Sequence, residues 1–186
     1  MMTVLAFLML LAPGTVTAAA VTAQAAAAAA PASTVAAPAS AAVPADVWKP
    51  LWVLVGTWRG TRTGGEGRAT VVRDYESVLR NQHLQVTERV GSERSPWGMI
   101  SYDAERGRFV LRRFVADGGE SELVLDEPTG DSSTLVFTSP EPGPDGKQAR
   151  LVLEPHGWNE LTERVESGSA TSGFSTVSET RLRRKR

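Results

Sequence analysis

The sequence predicts an all-β protein: an antiparallel up-and-down barrel of about ten strands, preceded by one short helix. Three observations carry this expectation. From Thr57 onward, short segments rich in Val, Leu, Phe, Thr, Tyr and Trp alternate with clusters of Gly, Pro, Asp and Ser, the punctuation of antiparallel β-structure. No sustained helical period of apolar residues follows Thr57. The part able to fold spans about 140 residues, enough for one hydrophobic core and too few for two.

The boundary of that part is set by charge. All of the 20 basic and 21 acidic residues lie at Asp46 or later. Val4 to Ala12 is an apolar run, broken by Pro13-Gly14 and followed by small residues at Val16-Thr17-Ala18. This is the layout of a secretory signal peptide, expected over 1–18, and it is too short to span a bilayer. Residues 19–46 are rich in Ala and Pro and offer nothing large to bury, so a disordered linker is expected there. The barrel is assigned to 47–186 and the protein to the periplasm or the exterior.

Within the barrel, Val47 to Val55 places Trp48, Leu51, Trp52 and Val55 on one side of a short helix that Pro50 limits in length. Strands are expected at about 57–63, 68–79, 82–90, 97–103, 108–116, 120–127, 133–139, 148–154, 158–166 and 174–183, separated by turn signals such as Gly64-Gly65, Asp103 to Gly107 and Pro155-His156-Gly157. Leu84, Val86 and Val90 share one strand face, as do Leu151 and Leu153, and Asn159 to Val165 alternates polar with apolar. An open sheet of ten strands leaves two reactive edges, and closure removes them. At this strand number an interior cavity able to hold a small molecule is expected. A β-sandwich is the alternative fold, but no long Greek-key connection stands out.

Composition narrows the function. The absence of Cys excludes disulfides, Cys-ligated metal sites and cysteine nucleophiles, and a net charge of -1 argues against general nucleic-acid binding. No Gly-x-Ser-x-Gly elbow and no P-loop is present. Gly56 lets the chain turn from helix to strand, and Trp58 is large enough to plug one barrel end. Arg112 and Arg113 are adjacent in an apolar strand, so one of them must face inward, where a carboxylate such as Glu163 or Asp74, or a ligand anion, would have to pair with it.

The ordered series Trp48 to Gly60 with its Gly56-Thr57-Trp58, then Gly98 to Asp103, Phe109 to Phe114, Leu161 to Val165 and Arg181 to Arg184 resembles the calycin superfamily of lipocalins, fatty-acid-binding proteins and nitrobindin-like haem barrels, nearest to uncharacterised bacterial members. The resemblance covers about 48–184. It implies a barrel closed by Gly56 and Trp58, with Arg181, Arg183 or Arg184 packed over the indole and Arg183 taken as that partner. Nitrobindin-like barrels carry a haem-ligating His just before the last strand, but Ala170 to Ser175 holds none, which leaves His83 and His156 as the candidates for haem. The Arg-x-Tyr clamp of fatty-acid-binding proteins is replaced here by Arg181-Leu182-Arg183.

The function expected from this reading is a non-enzymatic barrel that binds a small hydrophobic or amphipathic molecule, with no nucleic acid, transmembrane span, metal or obligatory cofactor. Trp97, Tyr102, Phe114, Phe137 and Trp158 are the candidate wall residues, and Arg112 or Arg113 the polar anchor. Two alternatives are a haem barrel with redox or isomerase activity and a tethered interaction module without a ligand.

Overall fold

The turn clusters of the sequence fall where the strands end. A computed structural model describes residues 43–65, 67–115, 118–126 and 133–186. The chain separates into two units, and the barrel belongs to the second, Ser40–Arg186. The expected signal peptide and residues 19–42 of the expected linker lie outside the described residues.

Ten strands follow one another: β1 Gly56–Gly64, β2 Gly67–Val78, β3 His83–Val90, β4 Glu93–Asp103, β5 Arg108–Phe114, β6 Glu120–Leu125, β7 Leu135–Thr138, β8 Gln148–His156, β9 Glu160–Ser169 and β10 Gly173–Arg184. Each pairs antiparallel with its neighbours in sequence, and β1 closes the ring on β10 through Trp58↔Arg184 to Gly64↔Ser178. Closure leaves no free edge, which is why a meander of this length is stable as a barrel. Among the described residues no helix is long and apolar enough to cross a membrane.

Side chains alternate across the wall with period two. The inward series includes Trp58 and Arg62 on β1, Val71, Arg73 and Tyr75 on β2, Leu84, Val86 and Glu88 on β3, Ile100 on β4, Phe109, Leu111 and Arg113 on β5, and Leu161 and Glu163 on β9. The two barrel ends differ. A single helical turn, α1 (Lys49–Trp52), precedes β1 with Pro50 in its first turn, where a missing N–H costs nothing. Around it Trp48, Leu51 and Leu54 are fully buried, and Trp48 meets Phe109 edge-on at 4.8 Å. The opposite end is formed by the hairpin turns, among them Gly64–Gly67.

Trp58 is fully buried at the α1 end, and its Nε1 donates to Leu54 O at 2.7 Å. The arginine over its ring is Arg184, 4.3 Å from the ring to the guanidinium carbon. This corrects the assignment of that role to Arg183. Alternation decides it: Arg184 is the register partner of inward-facing Trp58, so Arg183 faces out, where it pairs with Glu160 at 3.0 Å. Gly56 has φ of 126°, a backbone conformation that favours glycine, and a Cβ there would lie 2.6 Å from Arg184 Nη1, so a larger residue would also displace the guanidinium.

Candidate functional site

Part of the interior is charged. Arg73 is 4% exposed and is gripped by two buried carboxylates, ion-paired through Nη2 to Glu88 and through Nη1 to Glu163. Glu88 also accepts both of its oxygens' bonds from Arg62 Nη2, at 2.9 and 2.8 Å, and Arg62 Nε donates to Thr180 Oγ1 at 3.3 Å. Glu88 sits where the β3–β4 register shifts, between Thr87 and Arg89, and such irregularities re-aim a side chain. Burial pushes the Arg73 pKa below its ordinary value, with the neighbouring Tyr75 acting in the opposite direction. Burying a guanidinium is costly, and such partners offset the cost.

Arg113 has none. It faces inward from β5, in register with Gly98. Among the described residues it makes no ion pair and no hydrogen bond. Burial also pushes its pKa down, Tyr75 opposes this, and the positive charge of Arg62 adds to the depression. Three guanidinium groups, Arg62, Arg73 and Arg113, therefore meet two carboxylates, Glu88 and Glu163. Among the described residues Arg113 is the one of the three without an ion pair.

Arg113, Arg73, Tyr75, Glu88 and Glu163 line a cavity of about 30 Å³, completed by apolar side chains including Val86, Ile100, Leu111 and Leu153. That is space for about two water molecules. The expected cavity able to enclose a small molecule is thus corrected: long Arg, Glu and Tyr side chains occupy the width that ten strands create. On the hairpin side, Arg62, Ala69, Val90 and Ser178 line a separate depression of about 310 Å³.

The expected site residues are dispersed. Arg113 is the inward member of its pair, and Arg112 faces out, with Nε and Nη2 bonded to Glu122 at 3.1 and 3.0 Å. Tyr102 faces inward in the apolar part, edge-on to Phe109 at 5.2 Å, and Phe137 is fully buried in the core. Trp97 and Phe114 are register partners on the outer wall, 5.1 Å apart and 39% and 36% exposed. Trp158 is 70% exposed in the β8–β9 turn. These three do not line the interior, because their positions are out of phase with the inward series or lie beyond the strand. Asp74 also faces out, paired in register with Thr57.

Neither imidazole reaches the interior. His83 Nδ1 meets Ser101 Oγ at 2.8 Å, and His156 Nε2 meets Thr162 Oγ1 at 3.0 Å, both on the outer wall. These residues do not fit axial ligation of a haem held inside the barrel.

Arg62, Arg73, Tyr75 and Glu88 are not among the site residues that the sequence leads one to expect. A signal for two of them was present: Glu88 interrupts the apolar face of Leu84, Val86 and Val90, and Arg73 stands between Val71 and Tyr75 on one face. A charge in phase with an apolar series marks a buried ionic group.

No family model and no curated protein matches the chain. In solved structures it is similar to Rv2717c from M. tuberculosis, at 15% identity and a TM-score of 0.56, over 77% of this chain and 100% of that one. It also matches the S-type phycobiliprotein lyase CPES from Guillardia theta, at 12% identity and a TM-score of 0.45, over 72% of this chain and 89% of the other. The likeness to Rv2717c is one of fold, a closed ten-stranded antiparallel barrel.

Proposed function

We propose that the protein is an exported, non-enzymatic barrel that binds a small amphipathic molecule by its acidic head. The observation that carries this reading is Arg113, an inward guanidinium without a counter-ion beside the inner cavity. A carboxylate or similar anion would restore charge balance through a bidentate contact, the strongest hydrogen-bonded pairing open to arginine. The inner cavity accepts the head group, and the depression on the hairpin side accepts the apolar body. The Arg62–Glu88 pair stands between them, since Arg62 lines the depression and Glu88 the cavity.

The test is titration of a fluorescent fatty-acid probe into the parent protein and into Arg113→Met and Arg112→Met. Saturable binding that Arg113→Met abolishes and Arg112→Met retains is expected. No saturable binding by the parent, or equal binding by all three, overturns the reading. Export is supported by the apolar run Val4 to Ala12 and the small residues after it, and predicts a mature N-terminus between about residues 19 and 27. N-terminal sequencing of protein recovered from the producing cell checks it.

One observation favours a second reading, a tethered interaction module. The stacked pair Trp97 and Phe114 displays aromatic surface on the outside while the inner cavity is small. Failure of ligand binding in the titration favours this alternative.

A further inference from the structure

The C-terminal run Arg181 to Arg186 is held at a fixed place on the barrel. The Arg184 amide donates to Asn159 O at 3.0 Å and the Lys185 amide to Thr57 O at 2.8 Å, so the chain is bonded on both sides almost to its last residue. Because Arg184 turns inward over Trp58, its neighbours Arg183 and Lys185 are displayed on the outer face. Arg59 stands directly opposite Arg183 in the β1–β10 ladder, an arrangement in which like charges repel. Arg183 has Glu160 as a partner, and Arg59 has no ion pair or hydrogen bond among the described residues. A broad depression of about 710 Å³ runs along this wall past Arg59, Arg68, Arg181 and Arg183.

Trp158 adjoins this basic edge. Its carbonyl accepts from Arg184 Nε at 2.7 Å, which ties the β8–β9 turn to the end of β10 and leaves the indole standing out in solvent. We propose that Trp158, with Arg59, Arg183, Lys185 and Arg186, docks the barrel onto an anionic phospholipid surface. Basic side chains are drawn to the negative headgroups, and an indole settles at their level with its ring toward the acyl chains and its N–H in the polar layer. A nucleic acid fits less well. Glu160 and Glu179 interrupt the basic array, and a phosphate backbone of fixed spacing would have to pass them, whereas fluid headgroups rearrange around them. This docking is independent of any ligand inside the barrel.

The test uses the full chain and vesicles of phosphatidylcholine alone or of equimolar phosphatidylcholine and phosphatidylglycerol, read by co-sedimentation. The apolar run Val4 to Ala12 is common to every variant and does not discriminate headgroup charge, so the readout is the preference for the anionic vesicles. The parent should show that preference, and added salt should erase it. In Lys185→Gln/Arg186→Gln it should fall roughly fivefold for each charge removed. Trp158→Ser should weaken binding to the anionic vesicles with the far-ultraviolet circular dichroism unchanged. A parent without preference for anionic lipid, or a preference untouched in both variants, overturns the proposal. So does tight binding to duplex DNA that exceeds vesicle binding and ignores Trp158→Ser.

Discussion

Arg184 lies over the Trp58 ring, with its guanidinium carbon 4.3 Å from the ring centroid, and at the same time donates to the carbonyls of Val53, Val55 and Trp158. One side chain thus joins the last strand to the first, to the segment after α1 and to the β8–β9 turn. The ring below it is completely enclosed. Trp58→Ala is therefore expected to cost about 3–5 kcal/mol, the usual range for truncating a buried aromatic. Arg184→Gln should cost about 1–3 kcal/mol through the lost cation–π contact and orphaned carbonyls. Arg183→Gln, on the outer wall, should stay within about 0.5 kcal/mol of the parent. Urea unfolding of the three variants checks the ranking, and an equal loss for Arg183 and Arg184 would contradict it.

Arg73 should be the most sensitive charged residue. Arg73→Met removes the only cation that Glu163 pairs with among the described residues, and one of two for Glu88. Carboxylates left buried without a counter-charge destabilise by about 3–5 kcal/mol. Adding Glu163→Gln to Arg73→Met should recover part of that loss, because the orphaned group is then neutral. A double variant no more stable than the single one would show that the cost is packing, not charge.

The strands were legible in the sequence because each depends on local information. Turn residues delimit them, and the ten expected segments match the ten strands to within a few residues. The site was legible only in part. Adjacency alone makes Arg112 and Arg113 opposite-facing, but Val110 and Leu111 are both apolar, so the sequence does not reveal which parity is inward; the inner cavity, lined by Gly98, Leu111 and Arg113, does. The Arg62–Glu88–Arg73–Glu163 chain joins β1, β2, β3 and β9, and meetings across the barrel leave no mark in the spacing of residues. Trp97, Phe114 and Trp158 mislead for a related reason: large aromatic side chains suggest burial, yet phase and turn position place these outside.

Acid sensitivity should come partly from the outer wall. Hydrogen bonding from Arg164 holds the Glu154 carboxyl below the ordinary range, and hydrogen bonding from Arg106 does the same for Glu122. A depressed folded-state pKa contributes stability that is present above the unfolded carboxylate value, about 4.3, and is lost as pH falls through the lower folded value. Both carboxylates are partly exposed, so each contributes no more than about 1 kcal/mol. The double variant Glu122→Gln/Glu154→Gln should therefore be slightly less stable than the parent at neutral pH and lose less on acidification below about pH 4. Parallel stability curves for the two proteins would refute the assignment.

The last prediction separates a structural arginine from a binding one. Arg113 is largely buried and its charge is not matched by a carboxylate among the described residues, so in the ligand-free protein its burial opposes folding. Arg113→Met keeps most of the aliphatic length beside Gly98 and removes that opposition. The variant should be more stable than the parent, by about 0.5–2 kcal/mol, the range in which natural proteins gain when a functional group that costs stability is removed. Arg112→Met, which loses only the part-exposed Glu122 contacts, should change stability by less than about 1 kcal/mol and in the unfavourable direction. Opposite signs for two neighbouring arginines, read as urea midpoints without ligand, are the expected result. A destabilised Arg113→Met would mean that the arginine holds the wall together, and the case for it as an anchor would fail.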